Sequence, residues 1–310
     1  MLKTAMLVGF SLSFLGCASV RKGLVHVNDV GVDVRVDLEL IDVVSEKHID
    51  WSSFMDRVAE ADVVLLGEQH DHAVGHAVQL AVVEDVMDAY PHSVLSLEML
   101  DRDEQLRVDD YMEGFIDAKT FASITQSKNW SGWEEWYMPI IDAAKERGGS
   151  VVAANAPRRY VRLARLNGYE RIDELPKERR VFIDYPETHS DGRYRQRFWE
   201  TAERGDEDTE DVEIDVANIK SDDPLLPWFR GMQSWDATMA QSVVDARPSR
   251  EHKVLLLVGQ FHVEYEGGIV QELRKRMPGV NILVVSIQRE APEEDWRGVP
   301  PISDIMVVEK

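Results

Sequence analysis

Two stretches far apart in the chain end alike. VVLLGEQHDHAVGH, Val63 to His76, and VLLLVGQFH, Val254 to His262, each run apolar and then deliver Gly-x-x-His. The first carries Glu68 and His70, the second His262. A carboxylate two residues from an imidazole suits a general base with its partner. The same side chains suit a divalent metal, with Glu68, His70 and His262 as ligands and Glu98 completing the shell. One Gly-x-x-His is a weak signal; two at equivalent strand ends are much stronger. Glu98 closes the run SVLSLE, and Asn155, Arg158 and Arg159 follow SVVAA. Arg158 with Glu98 suits a structural ion pair as readily as a catalytic one. His76 and Gln79 fall three apart on the following helix, and His72 is expected toward solvent.

Aromatic residues form a second group. NWSGWEEW, Asn129 to Trp136, is followed directly by Tyr137. Three tryptophans so close serve either as helix packing or as the wall of a flat apolar pocket. Tyr185 and His189 lie four apart in YPETH, and Tyr265 closely follows His262. Phenolate and imidazole both ligate ferric haem. Tyr137, Tyr185, Tyr265 and His76 are therefore candidate cofactor-binding residues, and none stands out as the axial ligand.

These residues need elements to position them. Short runs rich in Val, Leu and Ile predict strands at Val30–Leu40, Asp62–Leu66, Ser93–Glu98, Ser150–Ala154, Lys253–Val258 and Asn281–Ile287, with a weaker one at Asp304–Val308. The middle runs are continuously apolar, as in parallel strands covered on both faces. Helical segments at Val74–Ala89 and Glu134–Arg147 alternate with them, the latter stopped by Gly148-Gly149. The expected fold is α/β, a mainly parallel sheet flanked by helices. From about 158 to 236 strands give way to charged helical stretches, a smaller helical insertion. Within it, Asp206 to Asp215 holds seven acidic residues in ten, without the glycine-centred spacing of a calcium loop. In such a sheet ligands bind beyond the carboxyl ends of the strands, where the polar groups named above converge. Gly67 and Gly259 are expected to turn the backbone sharply there and to keep space open.

The chain has 310 residues, is 44% hydrophobic and carries a formal net charge of −22. A core of that size folds as a globular domain. Its acidity repels phosphate backbones, which argues against nucleic-acid binding. The N-terminus differs: MLK, then an apolar run from Ala5 to Leu15, then Gly16 and Cys17, the one cysteine of the chain. The run is too short for a membrane span and has the form of a secretory signal. Cys17 at its end suggests a lipobox, although Phe14 and Leu15 depart from the usual pattern. The expectation is a signal peptide over 1–16, lipidation at Cys17, and a single α/β domain over 17–310 on a lipid tether. That points to a bacterial cell envelope.

LLGEQHDHAVGHAVQ, VLSLEMLDRDEQ, WEEWYMPIIDAA, VVAANAPR, MQSWDATMA and VGQFHVEYEGGI, in this order, resemble the ChaN family of haem-binding uptake lipoproteins. The resemblance runs from about Val63 to Met277 and leaves out the first strand region and the acidic stretch. It implies a parallel α/β core, haem as cofactor and partner, and a role in haem or iron uptake at a bacterial outer membrane. The wider superfamily includes the Tiki and TraB proteins and the erythromycin esterases. There, paired Gly-x-x-His motifs with a glutamate and an arginine mark a hydrolytic or metallopeptidase centre. Carried over by motif, Gly67 to His70 and Gly259 to His262 match the two copies, with Glu98 and Arg158 as the glutamate and arginine.

Two function classes follow. A haem-binding protein needs an apolar, aromatic-bordered site with a Tyr or His ligand and local cations for the propionates, such as Arg102, Arg158 or Arg159. Its site can sit at the contact of a homodimer. A hydrolase would use Glu68, His70, Glu98, Arg158 and His262, either on a divalent metal or directly as acid and base. A tethered interaction protein docking through its acidic stretch is a third class, supported by charge alone.

Overall fold

A computed structural model describes residues 24–203, 222–247, 252–292 and 296–309. The expected leader, Cys17 and the acidic stretch 206–215 lie outside the described residues. Eight strands form one sheet: β1 (Glu39–Asp42), β2 (Lys47–Ile49), β3 (Val63–Glu68), β4 (Val94–Asp101), β5 (Ser150–Asn155), β6 (Val254–Gly259), β7 (Ile282–Gln288) and β8 (Ile305–Val308). Their order is β2-β1-β8-β7-β3-β6-β4-β5. The strands from β8 to β5 run parallel, and β1 pairs antiparallel with β8 and β2 at one edge. Among the described residues eleven α-helices accompany the sheet: α1 (Trp51–Glu60), α2 (Ala73–Ala89), α3 (Gln105–Met112), α4 (Ala118–Ile124), α5 (Met138–Glu146), α6 (Arg158–Asn167), α7 (Glu170–Asp173), α8 (Lys177–Arg180), α9 (Gly192–Glu203), α10 (Leu226–Ala246) and α11 (Gly268–Arg276). None of the described helices is long and apolar enough to cross a membrane.

The apolar runs explain the layers. Every residue of β3, β4 and β6 is buried. Side chains alternate along a strand, so one sheet face takes Val64, Leu66, Leu95, Leu97, Leu255 and Leu257. These pack with residues of α1, α2 and α5. The other face takes Val63, Leu65, Leu256 and Val258, packed with Met239, Ala240 and Val243 of α10 and Ile269 and Leu273 of α11. Each fully buried Val or Leu contributes roughly 1.5–3 kcal/mol, and both faces are committed. The chain leaves β3 for β4 on one side and later leaves β6 for β7 on the other. The strand order therefore reverses around β3 and β6, the place where open parallel sheets bind ligands.

Val30–Leu40 is not one strand. β1 begins at Glu39, and the alternating residues before it form turns. Asp33 explains this: its carboxylate accepts from the Arg35 N–H (3.0 Å), and its own N–H donates to Asp37 (2.8 Å). Such local side-chain bonds compete with a ladder. The hairpin partner β2 carries no apolar run and follows Glu46, whose φ is +54°. The weak candidate at Asp304–Val308 is an interior strand, β8, between β1 and β7. The helix expected from Glu134 begins with a π-helical turn, Trp133–Tyr137, before α5 takes over. Helices α6 to α9 occupy 158–203, while α10 continues to Ala246 and covers the sheet.

Candidate functional site

The two Gly-x-x-His motifs lie side by side, with Gly67 opposite Val258 and Glu68 opposite Gly259 in the β3–β6 ladder. Each glycine makes room for the other motif. A Cβ on Gly67 would stand 2.9 Å from the Val263 side chain and 3.2 Å from the Gln260 Cα. One on Gly259 would stand 3.0 Å from His70 Nε2 and 3.5 Å from Glu98 Oε2. The φ of Gly259 is −54°, so its role is space and not an unusual backbone conformation.

Glu68 ends β3 fully buried. Its Oε1 accepts from the Tyr137 hydroxyl (2.5 Å) and lies 2.8 Å from His70 Nδ1. Its Oε2 accepts from Gln79 Nε2 (2.7 Å), and His76 Nδ1 lies 2.9 Å from Gln79 Oε1. The π-helical turn carries Tyr137 to this carboxylate; such turns recur at functional sites. Burial pushes the Glu68 carboxyl up, but His76, His70 and the Tyr137 hydrogen bond outweigh it and hold the pKa at about 2. Burial lowers His70, yet the hydrogen bond to Glu68 and the charges of Glu98 and Glu68 bring it to about 9. His70 and Glu68 thus form an ion pair near neutral pH. His76 stacks on Trp136, with ring centroids 4.9 Å apart. Named in the sequence as a candidate cofactor-binding residue, it is fully buried, with Nδ1 3.7 Å from Glu68 Oε2.

The second pair was hidden from the sequence. His262 Nδ1 lies 2.6 Å from Asp236 Oδ1, and both side chains are buried. Asp236 sits on α10 in the stretch MQSWDATMA, whose one acidic residue was the available signal. Its Oδ2 accepts from the Tyr194 hydroxyl (2.6 Å) and Gln233 Nε2 (3.0 Å). Burial raises the Asp236 carboxyl, against the pull of His262. His262 is raised, because Asp236 and Glu98 outweigh its desolvation. Across the ring, His262 Nε2 lies 3.7 Å from Glu98 Oε1, while Glu98 Oε2 accepts from the Gly259 N–H (2.6 Å). Glu98 therefore links the ends of β4 and β6.

Beside these pairs a cavity opens, lined among others by Glu98, Met99, Asp101, Trp130, Asn155, Arg158 and Trp235. Glu98 and Arg158 share it, as the sequence suggested for two ends of neighbouring strands. His70 packs edge-on against Trp130, centroids 4.9 Å apart. Burial, with Glu104 and Asp103 nearby, pushes the Asp101 carboxyl up to about 7. Asp101 was not singled out in the sequence, because it lies three residues beyond Glu98 on a strand that continues further than expected.

Other candidates fall elsewhere. Tyr137 is buried behind Glu68. Tyr185 stacks on Tyr169 (4.4 Å) and donates to Asp173 (2.6 Å), in the cluster around α6 and α7. Tyr265 is buried with Ile41, Met306 and Val308 of β1 and β8. His72, expected toward solvent, is buried and hydrogen-bonded to Glu309. The metal shell of Glu68, His70 and His262 does not form: among the described residues no group of three or more His, Cys, Asp or Glu is placed to hold a metal ion. The reason is that Glu68 faces His70, Tyr137 and Gln79, and His262 faces Asp236, so the donor atoms engage one another.

Such a site offers two imidazoles backed by carboxylates, an arginine and two indoles at one sheet edge. A model of the family described as haem-binding uptake, Tiki superfamily, ChaN, matches residues 54–273. A structure titled for cofacial haem binding to ChaN of Campylobacter jejuni superposes with TM-score 0.64 at 18% identity, covering 89% of this chain and 98% of that one. A succinoglycan biosynthesis protein (TM-score 0.45, 12% identity, 83% of this chain and 74% of that one) and an erythromycin esterase mutant in its open conformation (0.43, 12%, 87% and 82%) are more distant. No curated protein matches by sequence.

Proposed function

The chain belongs to the haem-binding uptake family of the Tiki superfamily, ChaN, and on that premise we propose that it binds haem at the mouth of the crevice. The observation that carries the reading is the state of His70. Its side chain is 35% exposed, whereas Tyr137 and His76 are 0% exposed and Tyr265 is 3% exposed. Glu68 backs Nδ1, and Nε2, over Gly259, is the proposed ligating nitrogen; metal-bound histidines are commonly backed by a carboxylate in this way. Trp130 and Trp235 supply flat apolar surface and Arg158 a cation for a propionate. These donor types fit haem. Haem, when bound, would supply a ferric iron, and His70 would be the residue that holds it. The chain is further proposed to be lipidated at Cys17 and tethered at the outer membrane, serving iron uptake. Loss of labelled palmitate in Cys17→Ser cells tests the anchor. Titration of the purified chain with haemin tests binding: a saturable Soret shift is expected, and weak, nonsaturable uptake contradicts it.

A second reading is acid–base hydrolysis of an ester or peptide bond. The two histidine–carboxylate pairs, His70 with Glu68 and His262 with Asp236, at neighbouring strand ends beside the cavity favour it specifically. One imidazole would take a proton from water and the other return one to the leaving group. Chromogenic esters and peptides are the assay, and Glu68→Gln is expected to abolish turnover in a folded protein. Equal turnover in that variant excludes this pair from the chemistry.

A further inference from the structure

We propose that Asp236 is a positioning residue of the crevice, which holds the His262 ring in one orientation with its proton on Nδ1 and Nε2 presented to the reacting group. The proposal rests on the acid–base reading above.

Asp236 is 0% exposed, and both its oxygens are engaged. Oδ1 faces His262 Nδ1 at 2.6 Å, and Oδ2 accepts from Tyr194 and Gln233. Neither oxygen is left to meet a substrate, so Asp236 acts through the imidazole. The carboxylate is itself fixed from several segments. Tyr194 comes from α9, and Gln233 lies one turn earlier on α10. Gln233 Oε1 accepts the Ser190 N–H at 2.5 Å. The start of α11 closes around the pair. A Cβ on Gly268 would stand 2.0 Å from Asp236 Oδ2, and one on Gly267 2.2 Å from the His262 carbonyl oxygen.

This arrangement is a poor way to gain stability. Burying a carboxylate carries a desolvation penalty that pairing often only offsets, and apolar residues of similar volume are frequently as good. What the network does achieve is orientation. A carboxylate that accepts from Nδ1 fixes the tautomer and leaves Nε2 for proton transfer; losing the carboxylate in such a pair lowers turnover through the wrong tautomer. Nε2 is turned toward Glu98 at the cavity wall, 3.7 Å away.

The test is side-chain nitrogen–proton NMR on the full chain labelled with nitrogen-15, with His262→Asn identifying the resonances. The expected result is a slowly exchanging, low-field proton on His262 Nδ1 in the wild type. Asp236→Asn should shift or remove it. Tyr194→Phe, a milder change, should move the same signal without abolishing it. A wild-type His262 with a bare Nδ1, or a signal unchanged in Asp236→Asn, overturns the proposal, and the first outcome needs no variant to fold. On an ester that the wild type hydrolyses, Asp236→Asn should lower kcat by about a hundredfold or more with KM little changed. Absence of any turnover alongside the Nδ1 proton confirms the positioning and contradicts the acid–base reading instead.

Discussion

Glu68 meets donors on every side, from His70, Tyr137 and Gln79. Removing it by Glu68→Ala leaves those groups buried without their acceptor and should cost about 3–5 kcal/mol, read by urea unfolding. A loss below about 1 kcal/mol would show that the pocket relaxes or hydrates freely. Asp101 gives a prediction in pH. Its pKa is about 7 in the fold against an ordinary 3.8. The fold thus favours its neutral form, a contribution complete below about pH 4 and lost as pH rises through about 7. Asp101→Asn should therefore unfold later than wild type near pH 8, by roughly 4 kcal/mol, with the gap closing near pH 4. A constant gap across that range contradicts the assignment. At this scale Glu68, His70 and His262 were legible because they directly follow apolar strands. Asp236, Tyr194 and Gln233 were not, since helices deliver them, and helix register over a sheet edge is set by tertiary packing.

The paired strand ends act as one element. Gly67 clears Val263 and Gln260 of the second motif, and Gly259 clears His70 of the first. Gly67→Ala presses on backbone and should destabilise by about 1–3 kcal/mol, as overpacking does. Gly259→Ala presses on the His70 ring, a side chain at the mouth, and should weaken haemin binding more than it lowers the unfolding midpoint. The reverse pattern would place His70 outside the binding site. Strands β3 to β7 were readable as continuous apolar runs because both their faces are covered. The β1–β2 hairpin was not: Asp33 makes the turn before it and Glu46 stands in its own turn, and alternating Val and Asp in VGVDVRVDLEL imitates a longer strand.

Across the whole molecule, the α/β class and the gathering of strand ends at one edge follow from alternation of runs and helices. The reversal of strand order around β3 depends on which strands pair, which no local pattern encodes. The net charge of −22 also has a consequence for the ligand. Haemin carries two propionates, so the overall field repels it and only local cations such as Arg158 oppose that. Added salt screens the repulsion, and haemin association should speed up as ionic strength rises. Slower association in salt would mean that the local cations dominate the approach. The central claim is that His70, backed by Glu68, holds the haem. The most direct measurement is resonance Raman of the haem-loaded chain beside His70→Ala. Imidazole ligation in the wild type that is lost in His70→Ala is the predicted result. Tyrosinate bands in the wild type, or an unchanged spectrum in His70→Ala, would contradict it.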